Sequence, residues 1–184
     1  MNEQLLVRRA KKDTEAFLAL YDEYYPRIYA FVLSRAKHRE RAEDVTQQTF
    51  VTAMEKIHTF TWYKPGSFTA WLFRIARNKL VDVARKESKT YPTEPVKLAN
   101  IVITSPSVEE LALEVEDEHT DKQHLAKLFA LMEELSETEQ ELLSLRYFSG
   151  LSFKDISAVM KKKPNTLIVA HKRAISKLQK RLSV

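Results

Sequence analysis

The chain of 184 residues contains no cysteine, only two glycines and no long apolar run. Without cysteine there can be no disulfide, no thiolate-held zinc and no cysteine nucleophile, a composition that suits a cytoplasmic protein. With only Gly66 and Gly150 the chain cannot build a glycine-rich phosphate loop, and such scarcity favours helices over turn-rich sheets. No stretch approaches the ~18–20 apolar residues of a membrane-spanning helix. The opening MNEQLLVRRAKKD places charges after a very short apolar patch, so neither membrane insertion nor a signal peptide is expected. What remains is 44% hydrophobic and 30% charged, the balance of a soluble globular protein. Strand-like alternation is confined to ANIVI at 99–103, and the fold class expected is all-α.

Charge is distributed in blocks. Residues 61–90 carry seven basic side chains (Lys64, Arg74, Arg77, Lys79, Arg85, Lys86, Lys89) against Asp82 and Glu87. Residues 104–121 hold seven acids and no Lys or Arg, and from 150 onward nine basic residues face Asp155 alone. Two basic blocks around an acidic one suggest two polyanion-binding units, separated by a linker that must not stick to the same polyanion.

Periodicity supports that division. Phe17, Leu20, Tyr24, Ile28, Phe31 and Val32 recur at helical spacing behind Asp13, a candidate N-cap, and Pro26 either begins a second helix or kinks the first. In RAEDVTQQTFVTAMEKIHTF, Val45, Thr49, Ala53 and Ile57 form a buried stripe, while Asp44, Gln47, Gln48, Val51 and Glu55 face elsewhere. A Pro-Gly turn in TWYKPGS precedes the helix FTAWLFRIARNKLVDVARKE, whose expected core residues are Trp71, Ile75, Leu80 and Val83. Pro92, Pro95 and Pro106 mark a linker, within which SVEELALEVEDEH could form a short acidic helix. The expected organisation is one domain over 1–90, a linker over 91–121 and a second domain over 122–184.

The second domain is well punctuated. LAKLFALMEEL reads as an amphipathic helix, SETE has capping-box spacing, and QELLSLRYF continues as a helix up to Gly150, a C-cap. Ser152 starts a helix over about 153–160, and Pro164 sits at the first turn of the last one, whose expected stripe is Leu167, Ala174, Leu178 and Leu182. Short helix, tight turn and longer basic helix make a helix-turn-helix. A solvated basic face is the ordinary reading of Lys161, Lys162 and Lys163. These lysines, however, lie at the N-terminal end of a helix, where positive charge is locally unfavourable and where a phosphate partner would offset the cost. The rings of Trp62 and Tyr63, set beside a basic helix, could be core or could stack on unpaired bases. The five histidines have no metal-ligand spacing, and no triad or carboxylate pair is evident. No catalytic residue, metal or cofactor is expected.

The motifs in this order resemble the extracytoplasmic-function group of the bacterial sigma-70 family across nearly the whole chain. FLALYDEYYPRIYAFVLSRAKHRERAEDVTQQTFVTAMEKIHTF resembles the family's first conserved stretch. FTAWLFRIARNKLVDVARK is similar to its −10 helix, and MEELSETEQELLSLRYFSGLSFKDISAVM with PNTLIVAHKRAISKLQKRL resembles its −35-binding domain. The resemblance implies a non-enzymatic protein that binds core RNA polymerase at the clamp helices and flap, directs promoter recognition, −10 melting and initiation, and has an anti-sigma partner. It implies polymerase docking by Asp44, Gln47, Gln48 and Val51, although the family often has Glu in place of Gln48. It implies −10 contacts from Phe60, Trp62, Tyr63, Arg74, Arg77, Asn78, Lys79 and Arg85, with Phe60 and Asn78 around a pocket for a flipped base. It implies −35 contacts from Lys161, Lys162, Lys163, Asn165, Thr166, Ile168, Val169, Lys172 and Arg173. Two departures bear on base choice. The loop from Phe60 to Trp71 is about two residues longer than the family's, and Ile168 and Ala170 stand where basic residues are usual. The rival expectation is a helix-turn-helix regulator that binds DNA without polymerase, which would have no use for the AEDVTQQTF surface.

Overall fold

A computed structural model describes residues 2–36, 38–90, 131–132 and 134–182, with the side chains of 87–90 and 148 excepted. The described residues form no strand. The order is α1 (Glu3–Ala10), α2 (Thr14–Ala36), α3 (Arg39–Lys56), a 3-10 turn (Ile57–Thr59) and α4 (Ser67–Thr90). After these come α5 (Glu137–Leu143), a π turn (Ser144–Phe148), α6 (Phe153–Met160) and α7 (Pro164–Leu182). The linker over 91–121, with its possible acidic helix, and most of LAKLFALMEEL lie outside the described residues.

Helix α2 begins where expected. The Asp13 carboxylate accepts from the N–H groups of Glu15 and Ala16, and the ion pair with Arg9, followed by these bonds, lowers its pKa. Pro26 neither starts a helix nor ends one: Thr14–Ala36 is a single helix with proline inside it. The missing N–H leaves the carbonyl four residues earlier without its helical partner, and burial of Tyr24 and Ile28 on either side holds the helix through that gap. The Tyr24 hydroxyl donates to Glu3 Oε1 at 2.6 Å and lies 3.1 Å from Thr69 Oγ1, tying α1, α2 and α4 together. Burial, reinforced by the neighbouring Glu3, pushes the phenol pKa well up.

On α3 the expected stripe is buried, and Phe50 joins it beneath Tyr21 at a centroid distance of 4.6 Å. On α4 the core residues are not those expected. Phe68, Ala70, Leu72, Phe73 and Ala76 are buried, whereas Trp71, Ile75, Leu80 and Val83 are only partly so. The reason is that α4 packs against α2, α3 and α6, so more of its circumference is covered than a single stripe allows.

The C-terminal helices follow their punctuation. Ser136 and Glu139 form a reciprocal capping box. Burial disfavours the Glu139 charge, but hydrogen bonds from Lys177 and Ser136 outweigh it and lower the pKa. The helix then widens into a π turn over Ser144–Phe148, which the expected continuous helix did not include. Gly150 takes φ +65°, and the Leu151 N–H closes the turn onto the Leu145 carbonyl, the wide bond of a glycine-terminated helix end. Ser152 caps α6, and Lys161 ends it in the left-handed region at φ 55°. Leu167, Ala174 and Leu178 are buried, the last two against Met132, Leu135 and Leu143, but Leu182 is 50% exposed.

The N- and C-terminal helices share one core. Leu142, Leu145, Ile156, Val159 and Leu167 belong to the same continuous cluster as Phe31, Phe68 and Phe73, and α4 lies along α6. Ser136→Ala should destabilise the protein by about 1 kcal/mol by removing the N-cap; chemical denaturation will read this as a lower midpoint with an unchanged slope.

Candidate nucleic-acid and polymerase interface

Helix geometry turns the side chains of α3 into two faces. Asp44, Gln47, Gln48 and Val51 are all exposed, and at about 100° per residue they fall on the side opposite the buried stripe. Met54 and Glu55 extend this face. Val51 and Met54 are 59% and 54% exposed, an apolar pair bordered by Asp44 and Glu55. Met54 was not singled out from sequence because it lies beside the apolar stripe.

The polypeptide leaves α3 through the 3-10 turn and reaches Phe60, whose carbonyl accepts from Lys11 Nζ at 2.6 Å. Lys64-Pro65-Gly66-Ser67 forms a turn closed by Ser67 N–H to the Lys64 carbonyl, with Gly66 at φ +79°; proline then glycine at its two centre positions is what a type II turn requires. The two rings ahead of the turn part company. Trp62 packs against the core, while Tyr63 is 81% exposed.

Helix α4 distributes its expected DNA-binding residues over three directions. Arg74, Asn78 and Arg85 share one arc of the surface with Trp71, within about 60° of each other; the first three are exposed and Trp71 half-buried. Phe60 lies against this face, its ring 5.1 Å from Trp71 and 5.6 Å from Phe68. Only 7% of Phe60 is exposed, so here it supports Trp71 rather than offering its own face, and Trp71 is the ring that sequence reasoning assigned to the core. Lys79 turns instead toward α3, where it lines a cleft of about 260 Å³ with Gln48, Asp82, Val83, Arg85 and Lys86. This cleft adjoins the exposed face of α3 through Gln48.

Arg77 points a third way. Its guanidinium Nε donates to Glu141 Oε1 at 2.5 Å, across the boundary to α5. Both side chains keep some solvent, so the pair contributes on the order of 1 kcal/mol or less. Nearby, Arg35 donates to Gln140 at 2.9 Å, and burial lowers its pKa against the opposing pull of Glu141 and Glu137. Lys64 pairs with Asp155 at 3.0 Å, and Arg27 donates to the Ser149 carbonyl. Charge counts along the chain could not reveal these partners, since each pair spans more than sixty positions.

In the helix-turn-helix, Lys161, Lys162, Lys163, Asn165, Thr166, Val169, Lys172 and Arg173 are exposed. Asn165, Val169, Lys172 and Arg173 lie roughly opposite buried Leu167 around α7. Ile168 is half-buried and sits about 100° from Leu167, at the margin of that face. Lys162 also reaches Thr138 Oγ1 at 3.2 Å. His171, grouped from sequence with scattered surface histidines, meets the Tyr147 hydroxyl at 3.0 Å and the edge of Phe153. Burial and then the charge of Arg146 lower its pKa. Among the described residues no group of side chains could hold a metal ion, and no helix is long and apolar enough to cross a membrane.

Comparison with known proteins identifies the family. The Sigma-70 region 2 profile matches residues 20–90, and the Sigma-70 region 4 profile matches 125–178. The chain is 32% identical over 96% of its length to ECF RNA polymerase sigma factor BldN of Streptomyces coelicolor, of which it spans 64%. It is 30% identical over 77% of its length to ECF RNA polymerase sigma factor SigM of Bacillus subtilis, spanning 79% of that protein. In fold it is similar to CnrH solved with the cytosolic domain of CnrY, with a TM-score of 0.71 at 22% identity covering 98% and 97% of the two chains. It is likewise similar to the sigma factor RpoE of Bartonella quintana solved with the anti-sigma factor NepR, with a TM-score of 0.67 at 24% identity covering 91% and 97%. A regulator acting without polymerase would have no need of region 2, and that reading falls. With a region 2 and a region 4 in order on one all-helical chain, the protein belongs to the sigma-70 family, as an ECF RNA polymerase sigma factor.

Proposed function

We propose that this sigma factor docks on the clamp helices of core RNA polymerase through the α3 face of Asp44, Gln47, Gln48 and Val51, extended by Met54. The observation that carries the reading is that these residues share one exposed face and that Gln48 borders a cleft whose other wall is the basic α4. A partially apolar face thus lies beside a cationic one, which supports the reading. Melted DNA held on the polymerase would then lie along α4. Within the domain over 1–90, Arg74, Lys79 and Arg85 attract phosphates, which position the strand without reading it. Asn78 supplies an amide that can pair with a base edge, and Trp71 and Tyr63 supply rings for stacking. Phe60 and Trp62 act behind them as supports.

In the domain over 122–184, α7 lies on the −35 element. Lys161, Lys162, Lys163, Lys172 and Arg173 hold phosphates, the start of the helix adds its own favourable dipole, and Asn165 and Thr166 face the groove. Val169 meets thymine methyl groups, the apolar contact available in the major groove, with Ile168 at the edge. The linker over 91–121 carries acidic charge toward the polymerase channel and keeps the chain from folding back on DNA. The protein has no catalytic role of its own, acts in the cytoplasm where polymerase is, and is held in reserve by an anti-sigma partner.

Three measurements test this assignment. Core polymerase should co-purify with the protein, and Val51→Asp should weaken that binding about tenfold, ~1.4 kcal/mol; unchanged affinity removes α3 from the interface. Asn78→Ala should slow promoter opening about tenfold, as expected for one lost base contact of 1–3 kcal/mol, while core binding stays as it was. Equal loss in both would show that Asn78 is not in a base pocket. Replacing Lys161, Lys162 and Lys163 by alanine should lower the slope of log affinity against log salt for −35 DNA by about 1–3, and an unaltered slope would take these lysines off the phosphates.

A further inference from the structure

The loop that presents Trp62 and Tyr63 has little to hold it from within. Between the 3-10 turn ending at Thr59 and the start of α4 at Ser67, the backbone forms no regular element. Its own bonds are the turn from Lys64 to Ser67 and a 3.4 Å bond from the Tyr63 N–H to Ser67 Oγ, both toward its far end. Left to itself such a segment would cost roughly 1–2 kcal/mol of backbone entropy for each residue that a bound strand has to order.

Both ends of the loop are instead tied to α1. At the entry, half-buried Lys11, which follows the last residue of α1, donates from Nζ to the Phe60 carbonyl at 2.6 Å. An ammonium on a carbonyl makes a charge-assisted bond, stronger than a neutral one. At the exit, Glu3 Oε1 accepts from the Tyr24 hydroxyl at 2.6 Å and from Thr69 Oγ1 at 3.4 Å, and Thr69 stands on the first turn of α4. Tyr24 and Thr69 are buried, so their hydroxyls depend on each other and on Glu3 rather than on water. Helix α1 is itself well fixed. Asn2 caps its start, Leu6, Val7 and Ala10 are buried, and Arg9 pairs with Asp13 at 3.0 Å where the chain turns into α2. Glu3 and Lys11 are thereby held roughly 12 Å apart along the helix axis, at ~1.5 Å per residue, and the two ends of the loop are held with them. Neither residue lies within the region 2 match, which begins at residue 20.

The consequence falls on the rings. Phe60, whose carbonyl Lys11 holds, lies 5.1 Å from Trp71, and Thr69 precedes Trp71 by one intervening residue on α4. The two ties therefore set where Phe60 and Trp71 stand and how Trp62 and Tyr63 are carried between them. We infer that α1 is a clip for this loop, with Lys11 and Glu3 as positioning residues that hold 60–69 ready for an unpaired strand without touching DNA themselves. The inference rests on the assignment of the loop and α4 to −10 DNA. Ordering the loop before the strand arrives removes a cost from base capture, while the attraction to phosphates stays as it is.

The two tryptophans of the chain, Trp62 and Trp71, both belong to this region, so intrinsic fluorescence reads the clip directly in the full-length protein. Lys11→Met keeps the aliphatic stem and removes the donor. Acrylamide quenching should rise about twofold as the loop opens locally, with the helical circular dichroism unchanged, whereas Lys11→Arg, which still donates, should quench like the wild type. Unchanged quenching in Lys11→Met overturns the clip. Promoter opening is then followed with core polymerase on a promoter mapped by sequencing transcript 5′ ends after overexpression. Lys11→Met should slow opening about fivefold and weaken the preference for the native −10 bases over substituted ones by a similar factor, while affinity for core polymerase is retained. Wild-type opening and base preference would overturn the inference. A salt slope lowered by about 1 would place Lys11 on a phosphate and overturn its positioning role. Should Lys11→Met fail to fold, Glu3→Ala decides: it should reproduce the quenching and the lost base preference, with Glu3→Gln, whose amide oxygen still accepts, close to wild type. A Glu3→Ala protein indistinguishable from wild type overturns the inference. If Asn78→Ala leaves opening unchanged, the −10 assignment falls, and the quenching comparison still judges the clip.

Discussion

The contact between α4 and α6 is the constraint on which the other features depend. Together with α2 and α3, it covers more of α4 than one stripe. It also brings Arg77 and Lys64 of the N-terminal unit to the carboxylates of Glu141 and Asp155. The apolar seam supplies most of the adhesion, since each large side chain taken out of water contributes roughly 1.5–3 kcal/mol. The half-exposed ion pairs add little in energy. Their effect is on orientation and choice, because they select which basic residues the C-terminal unit holds and which it leaves for other anions.

The surfaces outside that contact fall into a consistent scheme. The exposed face of α3 is mixed polar and apolar, as a protein-docking surface is. The arc of Arg74, Asn78 and Arg85 on α4 is polar and cationic, with rings at its base. The outer face of α7 is cationic with one apolar point, Val169. A sigma factor has to hold polymerase, melted DNA and duplex DNA at once, and these three faces have the three corresponding chemistries. The part-buried network of Glu3, Tyr24 and Thr69 and the bond from Lys11 to the Phe60 carbonyl brace the region from which the first two faces project.

Much of this was legible in the sequence where local rules decide. Asp13, Ser136, Gly150, Ser152 and Pro164 each mark a helix end through their own backbone or side-chain chemistry, and each does so in the fold. The α3 stripe was legible because α3 buries a single side. The core of α4 was misassigned because three neighbours cover it, and periodicity can reveal only one direction of burial at a time. Pro26 was read as the start of a second helix or a kink in the first; no helix starts there, and tertiary burial on either side carries α2 past it. Leu182 was placed in the core by its spacing, yet it is half exposed.

By itself, then, the sequence determined the helical class, the helix ends, the charge blocks and, through ordered motifs, the family. These are properties of neighbouring residues or of composition, which need no knowledge of what packs on what. Only the tertiary structure decided that Phe60 supports Trp71, that Met54 joins the exposed face of α3, and that Arg77 meets Glu141 instead of facing outward. Those outcomes depend on which surfaces of distant helices are brought together. A side chain's periodic position fixes the direction in which it points along its own helix, but not what it finds there.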